Sequence, residues 1–169
     1  IYAIESSRLD LLELLISKEV DVDSVDKDGR TALMLAASSI HKIDLVRLLA
    51  FSGADVNIAD NEGKTALRYA VESESESESL DTIRLLIEFG ADVNAKDNKG
   101  KTALMVVALW GQLNLVKLLL KARADVNARD KEGQTALTYV RKNQISLRLV
   151  KKNNPKTTIQ ALIQAGAIE

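Results

Sequence analysis

The chain has 169 residues, of which 46% are hydrophobic but only 4% aromatic, and its formal net charge is −1. The absence of cysteine excludes disulfides and thiolate metal sites, and no apolar run approaches the ~20 residues that span a bilayer. The near-zero net charge argues against a global field that would attract nucleic acid or a membrane. With so few aromatic residues, the core is predicted to consist of Leu, Ala, Val and Ile, which suits closely packed helices.

The predicted elements return in the same order along the chain. Each segment opens with Asp-x-x-Gly, which predicts a tight turn. Threonine follows as a predicted N-cap, and a short first helix comes next. A second, apolar helix has Leu and Val at i, i+3 and i+4 spacing, as in "LNLVKLLLKA". That helix is predicted to end at Gly53 and Gly90, where a left-handed residue is favoured. Arg123 and Glu19 take this place in two other copies, and we expect strain there on the order of 1 kcal/mol each.

Two short blocks recur in register with these elements. Thr-Ala-Leu begins at residues 31, 65, 102 and 135, which are 34, 37 and 33 residues apart. Ala-Asp-Val-Asn begins at residues 54, 91 and 124, and Val-Asp-Val-Asp at residue 20 is a degenerate copy.

The recurrence also explains Gly100-Lys101-Thr102, which resembles the end of a phosphate-binding loop. Such a loop needs a glycine at residue 95, where this chain has alanine. A turn and a helix cap are therefore predicted instead.

Because the unit has about 33 residues and carries both blocks, it resembles the ankyrin repeat, and the resemblance covers essentially the whole chain. It implies an all-α repeat solenoid of stacked helix–turn–helix units joined by β-hairpin-like loops. The family's T-P-L-H becomes Thr-Ala-Leu followed by Met34, Arg68, Met105 or Thr138. Since losing His removes a polar link between neighbours, a less rigid array is expected.

One array over residues 1–169 is predicted, with about five repeats. The boundaries lie near 1–23 (partial), 24–57, 58–94, 95–127 and 128–169. Residue 1 is Ile and falls inside a first helix, so we expect a piece of a longer chain. The last repeat is predicted to cap the array, with an extended or added helix across 145–152. Asn154 is predicted to cap a final helix over about 155–165.

The alternating tract "ESESESES", Glu72 to Ser79, separates the two helices of the third repeat. Because like charges repel and neither residue type adds apolar surface, a solvated, mobile loop is predicted. An acidic docking loop or a modifiable serine tract is the alternative interpretation.

No catalytic constellation is evident in the sequence. The chain has one histidine, His41, and it lies at the predicted start of a second helix, where a packing or capping role is expected. Neither a paired general acid and base nor a glycine-rich phosphate cradle is present. We therefore expect no enzyme activity, no cofactor and no metal site.

The resemblance implies protein binding through the concave side, formed by hairpin tips and first helices. Trp110 is the strongest candidate anchor, because it is the single Trp and follows Leu109 where the family is usually polar. The alternative is that Trp110 folds over neighbouring helices. Lys101 is expected to point outward. The candidate partner-binding residues are Trp110, Leu109, Arg30, Lys64, Lys99, Lys101, Lys131, Asn61, Asn98 and Glu62.

The predicted function is a non-catalytic protein-interaction scaffold, monomeric and cytoplasmic. Two alternatives stay open. The chain could be the regulatory or targeting arm of a larger enzyme or membrane protein. It could also bind anionic lipid or nucleic acid through the basic residues between 141 and 156, which a steep salt dependence would reveal. Because the tips mix both signs of charge, the sequence favours a protein partner.

Overall fold

The computed structural model describes residues 10, 13–14, 17–18, 20–39, 43–73, 76–143 and 155–168, the side chains of residues 76 and 78 excepted. Eight helices have both ends within this part of the chain. In order they are α1 (Ala32–Ala37), α2 (Ile43–Phe51), α3 (Ala66–Val71), α4 (Glu76–Glu88), α5 (Ala103–Leu109), α6 (Leu113–Lys121), α7 (Ala136–Lys142) and α8 (Pro155–Gln164). The final helix agrees with the prediction. The predicted cap at Asn154, the added helix across 145–152, the truncated first helix and the expected strain at Glu19 lie outside the described residues.

The chain divides into two compact units, Ile1–Asp92 and Val93–Glu169, here called the N-terminal unit and the C-terminal unit. In the N-terminal unit α1 packs against α2 and α3, and α4 packs against α2 and α3. In the C-terminal unit α5 packs against α6 and α7, and α8 packs against α6 and α7. Within each unit, the two first helices therefore lie side by side, and the earlier one also packs against its own second helix. The prediction of one array over residues 1–169 stays a prediction.

The core of both units is aliphatic, as the composition predicts. The largest fully buried side chains are Leu33, Met34, Leu49, Leu67, Ile83, Leu86, Leu104, Met105, Leu115, Leu119 and Leu137. Met34 and Met105 occupy the position where the ankyrin pattern has His, and both are buried. A flexible apolar side chain fills space there, and Met105 Sδ also accepts a hydrogen bond from the Thr102 amide over 3.5 Å.

The second helices end as the glycine pattern predicts. At the end of α2 the amide of Gly53 donates to Ala50 and that of Ala54 donates to Leu49. Gly53 has a φ of 87°, the left-handed conformation that closes such a motif. Arg123 holds the equivalent place after α6 with a φ of 66°. Among the described residues it is the single non-glycine residue with positive φ, so the predicted strain at Arg123 is supported.

Neighbouring repeats are joined by a ladder of side chains at the end of each Ala-Asp-Val-Asn block. Asn57 Nδ2 donates to the Gly90 carbonyl over 3.0 Å, and its Oδ1 accepts from the Asp92 amide over 2.8 Å. Asn94 and Asn127 make the same pair of bonds within the C-terminal unit. At Asp23 the carboxylate accepts from the Asp55 amide but has no hydrogen to donate. This ladder provides polar links between neighbouring repeats, although the His of the ankyrin pattern is absent from the first helices.

The prediction of a mobile loop is wrong for residues 72–73 and 76–79, while residues 74 and 75 lie outside the described residues. Helix α4 begins at Glu76, and Ser79 is only 2% exposed. Ser79 lies one turn before Ile83 and two turns before Leu86, so it falls on the buried face of the helix. A serine is small enough to continue this face. Glu72 caps the end of α3 and pairs with Lys64 and Arg68, so it too is held in place.

Candidate functional site

Each hairpin is held by its own aspartate. Asp97 Oδ1 accepts the amides of Lys99 and Lys101 at 2.8 and 2.9 Å, and the Asp97 amide donates to the Lys101 carbonyl. Gly100 has a φ of 78°, and a Cβ there would come within 2.9 Å of the Lys131 amide nitrogen of the next hairpin. The same bonds recur at Asp26, Asp60 and Asp130. Gly100 therefore serves a tight turn and a close approach between hairpins.

Threonine caps the first helices, as predicted, with one exception. Thr31, Thr102 and Thr135 each accept a hydrogen bond from the backbone amide three residues later. Thr65 has the extended backbone of a cap but makes no such bond. Because the aspartates and threonines satisfy the backbone, other side chains at the hairpin tips are not required for the turn.

The tips of consecutive hairpins are joined through the backbone and, at one place, through a candidate residue. The Lys131 amide donates to the Lys99 carbonyl over 3.0 Å. In the N-terminal unit the Asn61 amide donates to Asp28, and Asn61 Nδ2 donates to the Lys27 carbonyl over 3.1 Å. Asn61, Glu62, Asn98, Lys99 and Lys131 are all exposed. Of these, Asn61 already contributes its side chain to the contact between repeats.

The candidate cations of the N-terminal unit are neutralised by nearby carboxylates. Arg30 contacts Asp26 at 2.8 Å and Asp28 at 3.2 Å. The hydrogen bond from Arg30 to Asp26 raises the pKa of Arg30, while the backbone amide of Arg30 contributes most to lowering the pKa of Asp26. Lys64 contacts Glu62 at 3.1 Å and Glu72 at 3.4 Å. Partial burial opposes the charge of Lys64, yet the two carboxylates outweigh it and raise its pKa.

The candidate lysines of the C-terminal unit have different surroundings. Lys101 Nζ lies 5.0 Å from the centroid of the Tyr139 ring, a cation–π distance. The side chain of Lys101 is half-buried, so part of it contacts this ring, and the expectation that it points outward to meet a partner stays a prediction. Lys142 Nζ donates to Gln134 Oε1. Within the described part of the chain, no carboxylate lies within ion-pair distance of Lys99, Lys101, Lys131 or Lys142.

Two tyrosines join a first helix to its own hairpin, and the sequence did not reveal these bonds. Tyr139 Oη donates to Asp130 Oδ2, and Tyr69 Oη donates to Asp60 Oδ2, both over 2.7 Å. Burial and then the neighbouring carboxylate raise the pKa of both hydroxyls. Burial acts to raise the pKa of Asp130, but bonds from Tyr139 and two backbone amides, with the charge of Lys101, lower it below its usual value. The recurrence of Tyr four residues after threonine was the available signal.

Leu109 and Trp110 lie at the end of α5, and both are half-buried. Trp110 is the C-cap residue of that helix. Asn143, which follows α7, donates from Nδ2 to the Leu109 carbonyl over 2.7 Å. This contact places the end of α7, with Lys142, beside the end of α5. The end of α5, with Leu109 and Trp110, and the end of α7, with Lys142, therefore lie side by side in the C-terminal unit.

The two units carry opposite charge. Residues 1–92 contain 9 Lys and Arg against 19 Asp and Glu, a net charge of −10. Residues 93–169 contain 14 Lys and Arg against 5 Asp and Glu, a net charge of +9. The overall value of −1 is the sum of these two. The inference that no strong field acts therefore does not hold within either unit.

The described residues offer no metal centre, since they include no group of three or more His, Cys, Asp or Glu side chains that could hold an ion. Among the same residues, none of the helices has the length and apolar character needed to cross a membrane. His41 lies outside the described residues.

A family model described as "Ankyrin repeats (3 copies)" matches residues 1–97 and again residues 74–161. The matched ranges contain all four Thr-Ala-Leu blocks. No curated protein matches the chain at a significant level. The family match confirms the resemblance and the predicted class of all-α repeat solenoid.

Proposed function

Because the chain belongs to the ankyrin repeat family, whose members generally mediate protein–protein interaction, we propose that it is a non-catalytic scaffold that binds a partner protein. The binding surface comprises the hairpin tips and the ends of the first helices. Trp110 is its central anchor.

The hairpin geometry is the observation that carries this proposal. Asp97 and Asp130 satisfy the backbone amides of their turns, so Lys99 and Lys131 are exposed without being needed for the fold. Side chains that the fold does not need can contact a partner. The bond between the Lys131 amide and the Lys99 carbonyl holds the two hairpins together, and so fixes the distance between the backbones that carry these two lysines.

Trp110 supplies the apolar element that such a surface needs. Tryptophan is enriched at the centres of interfaces, where truncation costs ~2 kcal/mol or more. Trp110 lies at the end of a first helix beside Leu109, and the contact between Asn143 and Leu109 holds the neighbouring helix end against it. The Trp110 side chain is half-buried, so it keeps surface for a partner.

The test is an affinity capture from a cell lysate with wild-type chain, Trp110→Ala and Phe51→Ala. Phe51 is a matched control, because it is an aromatic residue that is 70% exposed at the end of a second helix. Trp110→Ala is expected to reduce recovery of specific partners at least tenfold, and Phe51→Ala is expected to leave it unchanged. Thermal unfolding of both variants confirms that they fold. Equal recovery of every partner by Trp110→Ala and wild type would refute the role of Trp110.

A further inference from the structure

We propose that one surface of the C-terminal unit, here called the basic face, binds an acidic segment of a partner protein. The basic face consists of Lys99, Lys101, Lys131, Lys142, Leu109 and Trp110. Its lysines attract the carboxylates of the segment, and Trp110 with Leu109 contacts one apolar side chain of the same segment. The inference rests on the proposed function and adds the chemistry of the partner.

The members of the basic face are connected by contacts within the C-terminal unit. The Lys131 amide bonds to the Lys99 carbonyl, and Lys101 lies over the Tyr139 ring. Tyr139 bonds to Asp130 in the turn that leads to Gln134, and Gln134 accepts from Lys142. Asn143, the next residue, bonds to Leu109. These contacts connect the hairpins that carry the first three lysines to the helix ends that carry Lys142, Leu109 and Trp110, so we treat the six residues as one surface.

Carboxylates near this surface are already engaged. Oδ1 of Asp97 and of Asp130 accepts two backbone amides each, and Oδ2 of Asp130 accepts the tyrosine hydroxyl. Glu132 accepts a hydrogen bond from Gln134 Nε2. None of them forms an ion pair with the four lysines in the described structure. The exposed ammonium groups of Lys99 and Lys131 therefore remain available to a ligand, whereas Lys101 contacts the Tyr139 ring and Lys142 bonds to Gln134. The +9 charge of the C-terminal unit adds attraction at longer range.

The N-terminal unit shows what a neutralised surface looks like in the same fold. Arg30 and Lys64, which hold the hairpin position of Lys101, each contact two carboxylates of their own unit. An acidic ligand would have to displace these partners and would meet a unit of charge −10. Charge complementarity thus points to the C-terminal unit.

A polypeptide fits the basic face better than a nucleic acid does. Glu132 is exposed beside Lys131, and a phosphate backbone with its dense, unbroken charge would be repelled there. An acidic protein segment can place a neutral residue opposite Glu132 and an apolar residue on Trp110. Protein interfaces typically combine charged contacts at the rim with an apolar contact to a central aromatic residue.

Trp110 also provides the measurement, because it is the single tryptophan of the chain. The probe is a glutamate-rich peptide with one central leucine and no aromatic residue, titrated into the full chain while tryptophan emission is recorded. We expect a saturable change in emission and an affinity that falls steeply between roughly 0.05 and 0.3 M salt. The control peptide has glutamine in place of each glutamate and is expected to bind at least tenfold more weakly.

Charge variants locate the contact. Lys99→Gln and Lys131→Gln together are expected to weaken binding of the glutamate peptide about tenfold, or about threefold for each lysine. The matched control is Lys27→Gln in the N-terminal unit, which occupies the same place in its hairpin as Lys131 and is also exposed. It is expected to leave the affinity unchanged. All three lysines are exposed tip residues, so their replacement does not threaten folding.

Three results would overturn the inference. The first is equal affinity for the glutamate and glutamine peptides, and the second is an effect of Lys27→Gln as large as that of the double variant. The third is tighter binding of a single-stranded DNA oligonucleotide than of the glutamate peptide under the same conditions. If the peptide experiment fails while Trp110→Ala still abolishes capture of a cellular partner, the proposed function stands and only the acidic partner class is rejected.

Discussion

The two units of this protein use the same hairpin but treat its charges in opposite ways. In the N-terminal unit Arg30 and Lys64 form ion pairs with carboxylates of their own unit. Lys101 holds the same hairpin position in the C-terminal unit, but it lies over the Tyr139 ring and has no carboxylate within ion-pair distance among the described residues. In both units an aspartate fixes the turn and an asparagine links neighbouring repeats. A few polar side chains therefore satisfy the backbone of each repeat. The other surface side chains can differ between the two units without changing the fold, and so can serve binding.

The largest effect of a substitution on stability is expected at the aspartate of the turn. Asp130 is 8% exposed and accepts three hydrogen bonds, whereas Asp60 accepts the equivalent three while half-exposed. Replacing Asp130 with Ala is predicted to lower the free energy of unfolding by about 3 kcal/mol, and Asp60→Ala by about 2 kcal/mol, because water can replace the lost acceptor more easily at Asp60. Urea denaturation of both variants measures the difference. Equal losses would show that burial of the turn does not matter.

The pKa of Asp130 adds a pH dependence to that prediction. Because its folded-state pKa is lowered, the carboxylate contributes stability above its unfolded pKa of about 3.9, and this contribution is lost as the pH falls through the folded value. Asp130→Asn is therefore expected to flatten the decrease in unfolding free energy below about pH 4. A decrease as steep as that of wild type would exclude Asp130 as a source of acid sensitivity.

A smaller effect is expected where the second helices end. Gly53 and Gly90 take the left-handed conformation in the N-terminal unit, but Arg123 takes it in the C-terminal unit. Arg123→Gly is predicted to stabilise the protein by about 1 kcal/mol, because glycine adopts this conformation without strain. Arg123→Ala removes the charge but keeps the strain, so it is expected to give no gain. Stabilisation by Arg123→Ala as large as that by Arg123→Gly would assign the effect to charge instead.

The smallest effect is expected in the ladder between repeats. Asn127 donates to Gly166 and accepts from Ile168, whereas Asp23 in the N-terminal unit can only accept. Asp23→Asn is predicted to stabilise the protein by about 0.5 kcal/mol, since it supplies the missing donor and removes one negative charge. The reverse change, Asn127→Asp, is predicted to cost about 1 kcal/mol. The unfolding temperature should rise for Asp23→Asn and fall for Asn127→Asp. A shift of the same sign in both variants would show that these side chains do not stabilise the contact between repeats in the way proposed.

Local rules of sequence were enough to predict much of this fold. The turn at Gly100, the cap at Thr102 and the strained residue at Arg123 each depend on neighbours within one turn of chain. The bond between Tyr139 and Asp130 and the contact of Lys101 with the Tyr139 ring could not be predicted in this way, because they depend on how a helix is set against its hairpin and on the next repeat. The Glu-Ser tract misled for another reason. Its composition suggested a loop, while the buried spacing of Ile83 and Leu86 continues backward to Ser79.

The central claim is that recognition belongs to the basic face of the C-terminal unit. Two-dimensional NMR of the isotope-labelled full chain, titrated with the glutamate-rich peptide, tests it most directly, because the indole N–H of Trp110 gives a single signal. The account predicts that this signal and the amides of Lys99 and Lys131 shift, while those of Asp28 and Glu62 in the N-terminal hairpins do not. Shifts confined to the N-terminal hairpins, or spread evenly over both units, would contradict it.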